Sequence, residues 1–168
     1  TVGVSTPLIA AGISALSYSS DIEQLQTSFE VMTGSAEEAE KTINDLKELG
    51  ASTPYELKGL ASTAQLLIQY GFTASNAVDA TRMLGDISQG SADKMSRIAA
   101  AYGQMSSAGK VQLEDVKQMI EAGFNPLLEI SNSTGESMAS LYQRISNGTV
   151  SIDEITESIK RATSEGGQ

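Results

Sequence analysis

Apolar residues recur at helical spacing along nearly the whole chain, and glycines punctuate them. Leu8, Ala11, Ala15, Tyr18, Ile22, Leu25, Phe29 and Met32 follow one another at alternating steps of three and four, an a/d seam of more than three heptads. Thr6 is placed to cap this long first helix, and Pro7 to take its first position, where a missing N–H costs nothing. Ile9, Ile13 and Leu16 add a second stripe in the first half only. That half should be covered on two sides and the second half on one. The apolar run ends well short of the roughly 20 residues a membrane span requires, and no basic residue precedes it as in a signal peptide. Thr33-Gly34 should stop the helix.

Further helices follow in the same idiom. In SAEE, Ser35 should cap while Glu38 reaches back to close a capping box. Ala36, Ala39, Ile43, Leu46 and Leu49 form the buried stripe of that helix, and Gly50 its end. A third helix runs from about Tyr55 to Tyr70, and Gly71-Phe72 supplies a C-terminal cap with an apolar partner. A fourth spans Ala74 to about Gln89. No charge occurs from Gly59 to Val78, which places this hairpin centrally. Ser91 caps a fifth helix ending at Gly109, and its charge-free stretch Ile98–Gly109 predicts burial on more than one face. The sixth, Gln112 to Ala122, should bury Leu113, Val116 and Ile120 before Gly123-Phe124 repeats the earlier ending. Asn125-Pro126 opens a short helix through Ile130, and SNSTGES reads as a polar loop. An eighth helix carries Met138, Leu141, Tyr142 and Ile145 to Asn147-Gly148. The last is capped by a second box, Ser151 and Glu154, and frays at SEGGQ. Only TVGVS at the start hints at a strand. The chain is therefore expected to be all-α: eight to nine helices in short Gly-capped turns, divided into an N-terminal helix (1–34) and a compact helical domain (35–168).

Composition narrows the chemistry. Aromatics are 5% of the 168 residues, so Ala, Leu, Ile and Met must fill the core. Twenty-one acidic residues against 11 basic ones give a net charge of −10, which repels a phosphate backbone, so no direct nucleic-acid binding is expected. With neither cysteine nor histidine, disulfides, thiolate nucleophiles, Cys-rich zinc sites and imidazole proton transfer are excluded. The carboxylate pairs Glu37-Glu38, Glu114-Asp115 and Asp153-Glu154 sit in first helical turns, where cap and dipole account for them as solvated helix ends. No calcium-loop, P-loop, GxGxxG or GxSxG pattern occurs. A helix-turn-helix across the fifth and sixth helices would present Glu114, Asp115, Lys117, Gln118 and Glu121 to bases, an acidic recognition face. No catalytic, cofactor-binding or metal-ligating residue is assigned.

One resemblance organises these pieces. The runs TPLIAAGISAL, FEVMTGSAEEAEKTINDL, TPYELKGLASTAQLLIQYGFTASNAVDATRMLGDISQG and IAAAYGQMSSAGKVQLEDVKQMIEAGFNPLLEIS stand in the order and spacing of the N-terminal conserved region of bacteriophage tail tape measure proteins. The likeness is tightest from Phe29 to Ser131. Phe124-Asn125 departs from it, since a shorter link to Pro126 is common there. The resemblance implies a non-enzymatic structural module, without cofactor, of a longer protein that sets tail length while tube subunits polymerise around it. It implies tail-tube, tail-tip or assembly-chaperone partners, the host bacterial cytoplasm during assembly, and then the virion tail. Membrane contact would belong to the full-length protein during ejection. The N-terminal seam is the first candidate for self-association. A helical DNA-associated or regulatory module and a cell-wall hydrolase fragment stand as alternatives.

Overall fold

Residues 19–166 are described in the computed structural model, with side chains to residue 163, and every regular element among them is a helix. The Thr6-Pro7 start, the upstream half of the seam and TVGVS lie outside the described residues. The described part of α1 covers residues 19–33. Then come α2 (Ala36–Ser52), α3 (Leu57–Gln69), α4 (Ala74–Ile87), α5 (Ala92–Ala108), α6 (Leu113–Glu121), α7 (Pro126–Thr134), α8 (Met138–Ser146) and α9 (Ile152–Gly166).

Four helix ends share one hydrogen-bond pattern. After α3, the Gly71 N–H reaches the Ile68 carbonyl at 2.9 Å and the Phe72 N–H reaches that of Leu67 at 3.1 Å. Gly109-Lys110, Gly123-Phe124 and Gly148-Thr149 repeat the pair after α5, α6 and α8. This is the Schellman arrangement, and it needs a left-handed residue, which each glycine supplies with φ between 66° and 109°. The apolar residue just beyond, Phe72 or Phe124, then packs against the core, while Val111 and Val150 do the same one position later.

Several local expectations are corrected. α2 runs through Gly50 to Ser52. Its stop is Thr53, held extended (φ −132°, ψ 167°) as a residue before proline prefers. Tyr55 does not start α3. It turns inward, 6% exposed, where its hydroxyl donates to the Gly85 carbonyl at 2.6 Å and accepts from the Gly90 N–H at 3.0 Å. Burial pushes its phenol pKa up. α7 passes Ile130 and continues to Thr134, because the Ser133 and Thr134 hydroxyls bond the Ile130 carbonyl and the left-handed stop comes only at Gly135. α9 likewise continues to Gly166. In SAEE, Ser35 caps the Glu38 N–H at 3.2 Å, yet the Ser35 N–H goes to the Thr33 hydroxyl, so Glu38 does not close the box. The second box does close: the Ser151 N–H reaches Glu154 Oε2 at 2.8 Å and Ser151 Oγ accepts from the Glu154 N–H. Ala36 faces solvent in the first turn of α2, and Tyr142 is 39% exposed. On α6 the buried residues are Val116, Met119 and Asp115, with Leu113 and Ile120 only half-buried, so the helix is rotated from the expected face.

α5 is the central helix, packed on α3, α4 and α6, while α9 crosses back to lie on α4 and α7. Ala99, Ala101, Tyr102, Gly103 and Met105 of α5 are buried. α3 and α5 approach closely at Gly103, where an added Cβ would stand 2.5 Å from Tyr70 Cδ2. In the described half of the α1 seam Phe29 is fully buried, and Ile22 and Leu25, half-buried, pack on the same core. Gln65 Nε2 donates to Ser28 Oγ at 3.0 Å and fastens α1 to α3. The buried hydroxyls of Thr42, Thr63, Thr81, Ser88 and Ser158 each bond a carbonyl of the preceding turn, so none needs a partner across the core.

These contacts predict opposite outcomes for two glycines in α-helices. Gly103→Ala forces Tyr70 to move and should cost about 1–3 kcal/mol despite the better helix propensity of alanine. Gly59→Ala meets only Ala92 Cβ at 3.8 Å and should gain about 0.5 kcal/mol. Urea unfolding followed by circular dichroism measures both; equal effects would refute the close approach.

Candidate functional site

A groove of about 700 Å³ lies where the α3–α4 turn, α4, α5 and α9 meet. Gly71 turns the chain so that Phe72 lies over α5, with its ring centroid 5.9 Å from that of Tyr102 and tilted by 57°. This tilted geometry is a favourable aromatic contact. Tyr102 is otherwise buried and shares a 2.8 Å hydrogen bond with the Thr156 hydroxyl, joining α5 to α9. The walls add Asp79, Arg82 and Asp86 from α4 and Lys160 from α9. Arg82 and Asp79 are 3.8 Å apart and exposed, a weak pair in water. Burial pushes the Asp86 carboxyl above its usual range, and Arg82 partly offsets that. The groove offers stacking, hydrogen bonding and charge pairing.

A second groove, about 540 Å³, runs between α1 and the start of α3. Half-buried Ile22, Leu25 and Leu57 supply its apolar lining, and exposed Asp21 and Glu56 stand beside them. Among the described residues no group of three or more His, Cys, Asp or Glu side chains is placed to hold a metal ion. No helix among them is long and apolar enough to cross a membrane.

The three carboxylate pairs separate in space and in role. Glu37 and Glu38 are exposed at the start of α2. Glu114 is exposed, but Asp115 is only 4% exposed, which corrects its reading as a solvated helix end. Burial, followed by the neighbouring Glu114 charge, pushes the Asp115 carboxyl above its usual range. Nothing in the sequence marks this, because the burial follows from the rotation of α6. That rotation also withdraws Asp115 from the face a helix-turn-helix would present, leaving Glu114, Lys117 and Glu121 exposed there.

Glu154 belongs to a three-residue clamp. Arg144 Nη2 lies 2.8 and 2.9 Å from the two Glu154 carboxylate oxygens and donates to the Thr149 carbonyl at 3.0 Å, while Nη1 reaches Glu136 Oε1 at 2.9 Å. The clamp ties α8 to α9 and to the α7–α8 link. For Glu154 burial alone would raise the carboxyl; the Ser151 N–H and Arg144 outweigh it, so the net shift is downward.

What the fold and these surfaces define is an all-α module with closely packed helices and two surface grooves. The chain belongs to the tape measure protein family, whose sequence profile matches residues 14–168. A tape measure protein of Lactococcus phage F4-1 is 25% identical over 138 residues, which cover 77% of this chain and 38% of that relative. The chain thus spans less than half the length of the curated relative it matches. No solved structure matches it.

The clamp sets a pH dependence. A lowered folded pKa means that the contribution of Glu154 is fully present above the ordinary carboxylate value, about 4.3, and is lost as pH falls through the lower folded value. Arg144→Gln should cost about 1 kcal/mol at neutral pH, a modest figure because the pair is partly solvated. The gap from the parent should close in acid. Asp115 carries the opposite sign: its raised carboxyl opposes folding once ionised. Asp115→Asn should therefore raise the melting temperature at neutral pH and lose that advantage near about pH 3. Thermal melts across pH test both.

Proposed function

We propose that this module is part of a phage tail tape measure protein and acts as a structural element, without enzymatic activity, through helix–helix contacts. The observation that carries the reading is the family match, continuous over residues 14–168, on a chain whose described elements are all helical. In this reading the whole protein sets tail length by the contour of its helical sequence, since an α-helix adds about 1.5 Å per residue. Tube subunits assemble around it in the host cytoplasm, and it ends in the virion tail. Its partners are tail-tube, tail-tip or assembly-chaperone proteins.

In the described half of the N-terminal seam Phe29 is fully enclosed, while Ile22, Leu25 and Met32 are half-buried. Phe29 is thus taken up inside the domain, and contacts with other proteins, self-association through the N-terminal helix among them, would fall to the half-buried seam positions and the remaining surfaces.

In-frame duplication or deletion of helical sequence in the full-length gene should lengthen or shorten the tail by about 1.5 Å for each helical residue, measured in electron micrographs of particles. Tails of unchanged length would remove the length-setting role and leave the family membership untouched.

A further inference from the structure

Charge is unevenly distributed along this acidic chain. Between residues 19 and 56 stand nine acids and two lysines, a net of −7 out of the chain's −10. α1 has three acids and no basic residue over its described length. Of the two lysines, Lys41 is occupied by Asp45 at 3.0 Å. The groove between α1 and α3 opens within this acidic region. Ile22 and Leu25 on α1 and Leu57 on α3 give it an apolar lining, Asp21 and Glu56 flank it, and Lys58 is its only basic residue.

We infer that the α1–α3 groove docks an amphipathic, basic helical segment of another protein. The apolar lining comes from Ile22 and Leu25, three residues apart on one helix face, with Leu57 opposite, a spacing that receives the i, i+3, i+4 stripe of an incoming helix. Lysines or arginines flanking that stripe would meet Asp21, Glu56 and the wider acidic field of α1 and α2. A second copy is a poor occupant, because it would bring the same −7 face to the groove. The acids beside the groove speed encounter and select the sign of the partner, while the apolar contact holds it. The docking surface does not depend on any role in a tail.

The test uses the full 168-residue chain and a fluorescent Leu/Lys peptide of about 15 residues, roughly four helical turns, beside its Leu/Glu twin. Anisotropy should show a saturable one-to-one complex with the Leu/Lys peptide, weakened by salt, and none with the twin. Asp21→Lys with Glu56→Lys should weaken binding by about tenfold or more. Both residues are exposed, and since Glu56 is the N-cap of α3, circular dichroism checks that the variant keeps its fold. The control Glu37→Lys with Glu40→Lys changes the same charge on α2, outside the groove, and should stay within about twofold. Leu57→Ser should also weaken binding about tenfold, with circular dichroism confirming the fold. Equal losses in the groove and control variants would reveal general charge attraction and overturn the proposal. Binding of the twin, or no loss with any groove variant, would do the same. Sedimentation velocity completes it: a dimer that the peptide displaces would make a second copy the occupant and reject the partner inferred here.

Discussion

The packing of α3 against α5 is the contact around which the first half of this fold is arranged. With three phenylalanines, five tyrosines and no tryptophan, the chain has few large rings with which to fill gaps between helices. It closes those gaps with small side chains that leave room for their neighbours. Ala61 and Ala64 on α3 are fully buried, as are Ala99 and Ala101 on α5, and Gly103 lets the Tyr70 ring lie where a Cβ would intrude. An alanine buries little apolar surface, so stability per residue has to come from dense packing and many small contacts. That constraint explains the long stretches without charge in α3, α4 and α5: helices this close leave no room for solvated heads.

Packing of this kind demands accurate helix ends, and here the sequence is at its most legible. The caps marked at Ser35, Ser91, Asn125 and Ser151 all bond an N–H in the first turn of the helix they open, and Thr73 and Ser137, which the pattern left unmarked, do the same. Such signals are local: a hydroxyl three residues from its target, or a glycine just after the last apolar residue. What the sequence concealed was non-local. Tyr55 reads as the first residue of a helix because its bonds to Gly85 and Gly90 span 30 and 35 positions. The Arg144 clamp joins residues 8 and 10 positions away across two turns, so no single-helix spacing announces it. Asp115 looked solvated because its neighbours are polar, whereas its burial depends on how α6 is rotated against α5. Even a local rule failed where two local partners competed: Thr33 took the N–H that the SAEE pattern assigns to Glu38.

The candidate surfaces were less legible than the fold for the same reason. The sequence pattern marks no reactive group, and the grooves arise only when helices far apart in sequence are brought together. Phe72, which the pattern marks as a cap partner, is also one wall of the larger groove, and Leu57, a core position by spacing, is half-buried beside α1. One residue thus serves both packing and surface, and periodicity reports only the first.

The acidic N-terminal region shows how the two demands are balanced. A net of −7 over residues 19–56 loads the folded state with like-charge repulsion, which salt screens beyond roughly 8–10 Å. Glu37 and Glu38 recover part of that cost at the positive end of α2. The remainder is opposed by Phe29, whose full burial is worth on the order of 3–5 kcal/mol judged by what truncating such a ring costs. That anchor is the same a/d seam position that a free coiled coil would have used. Holding α1 against its own domain and presenting an acidic outer face are therefore one arrangement: the seam turned inward is what leaves the charged side of α1 to the solvent.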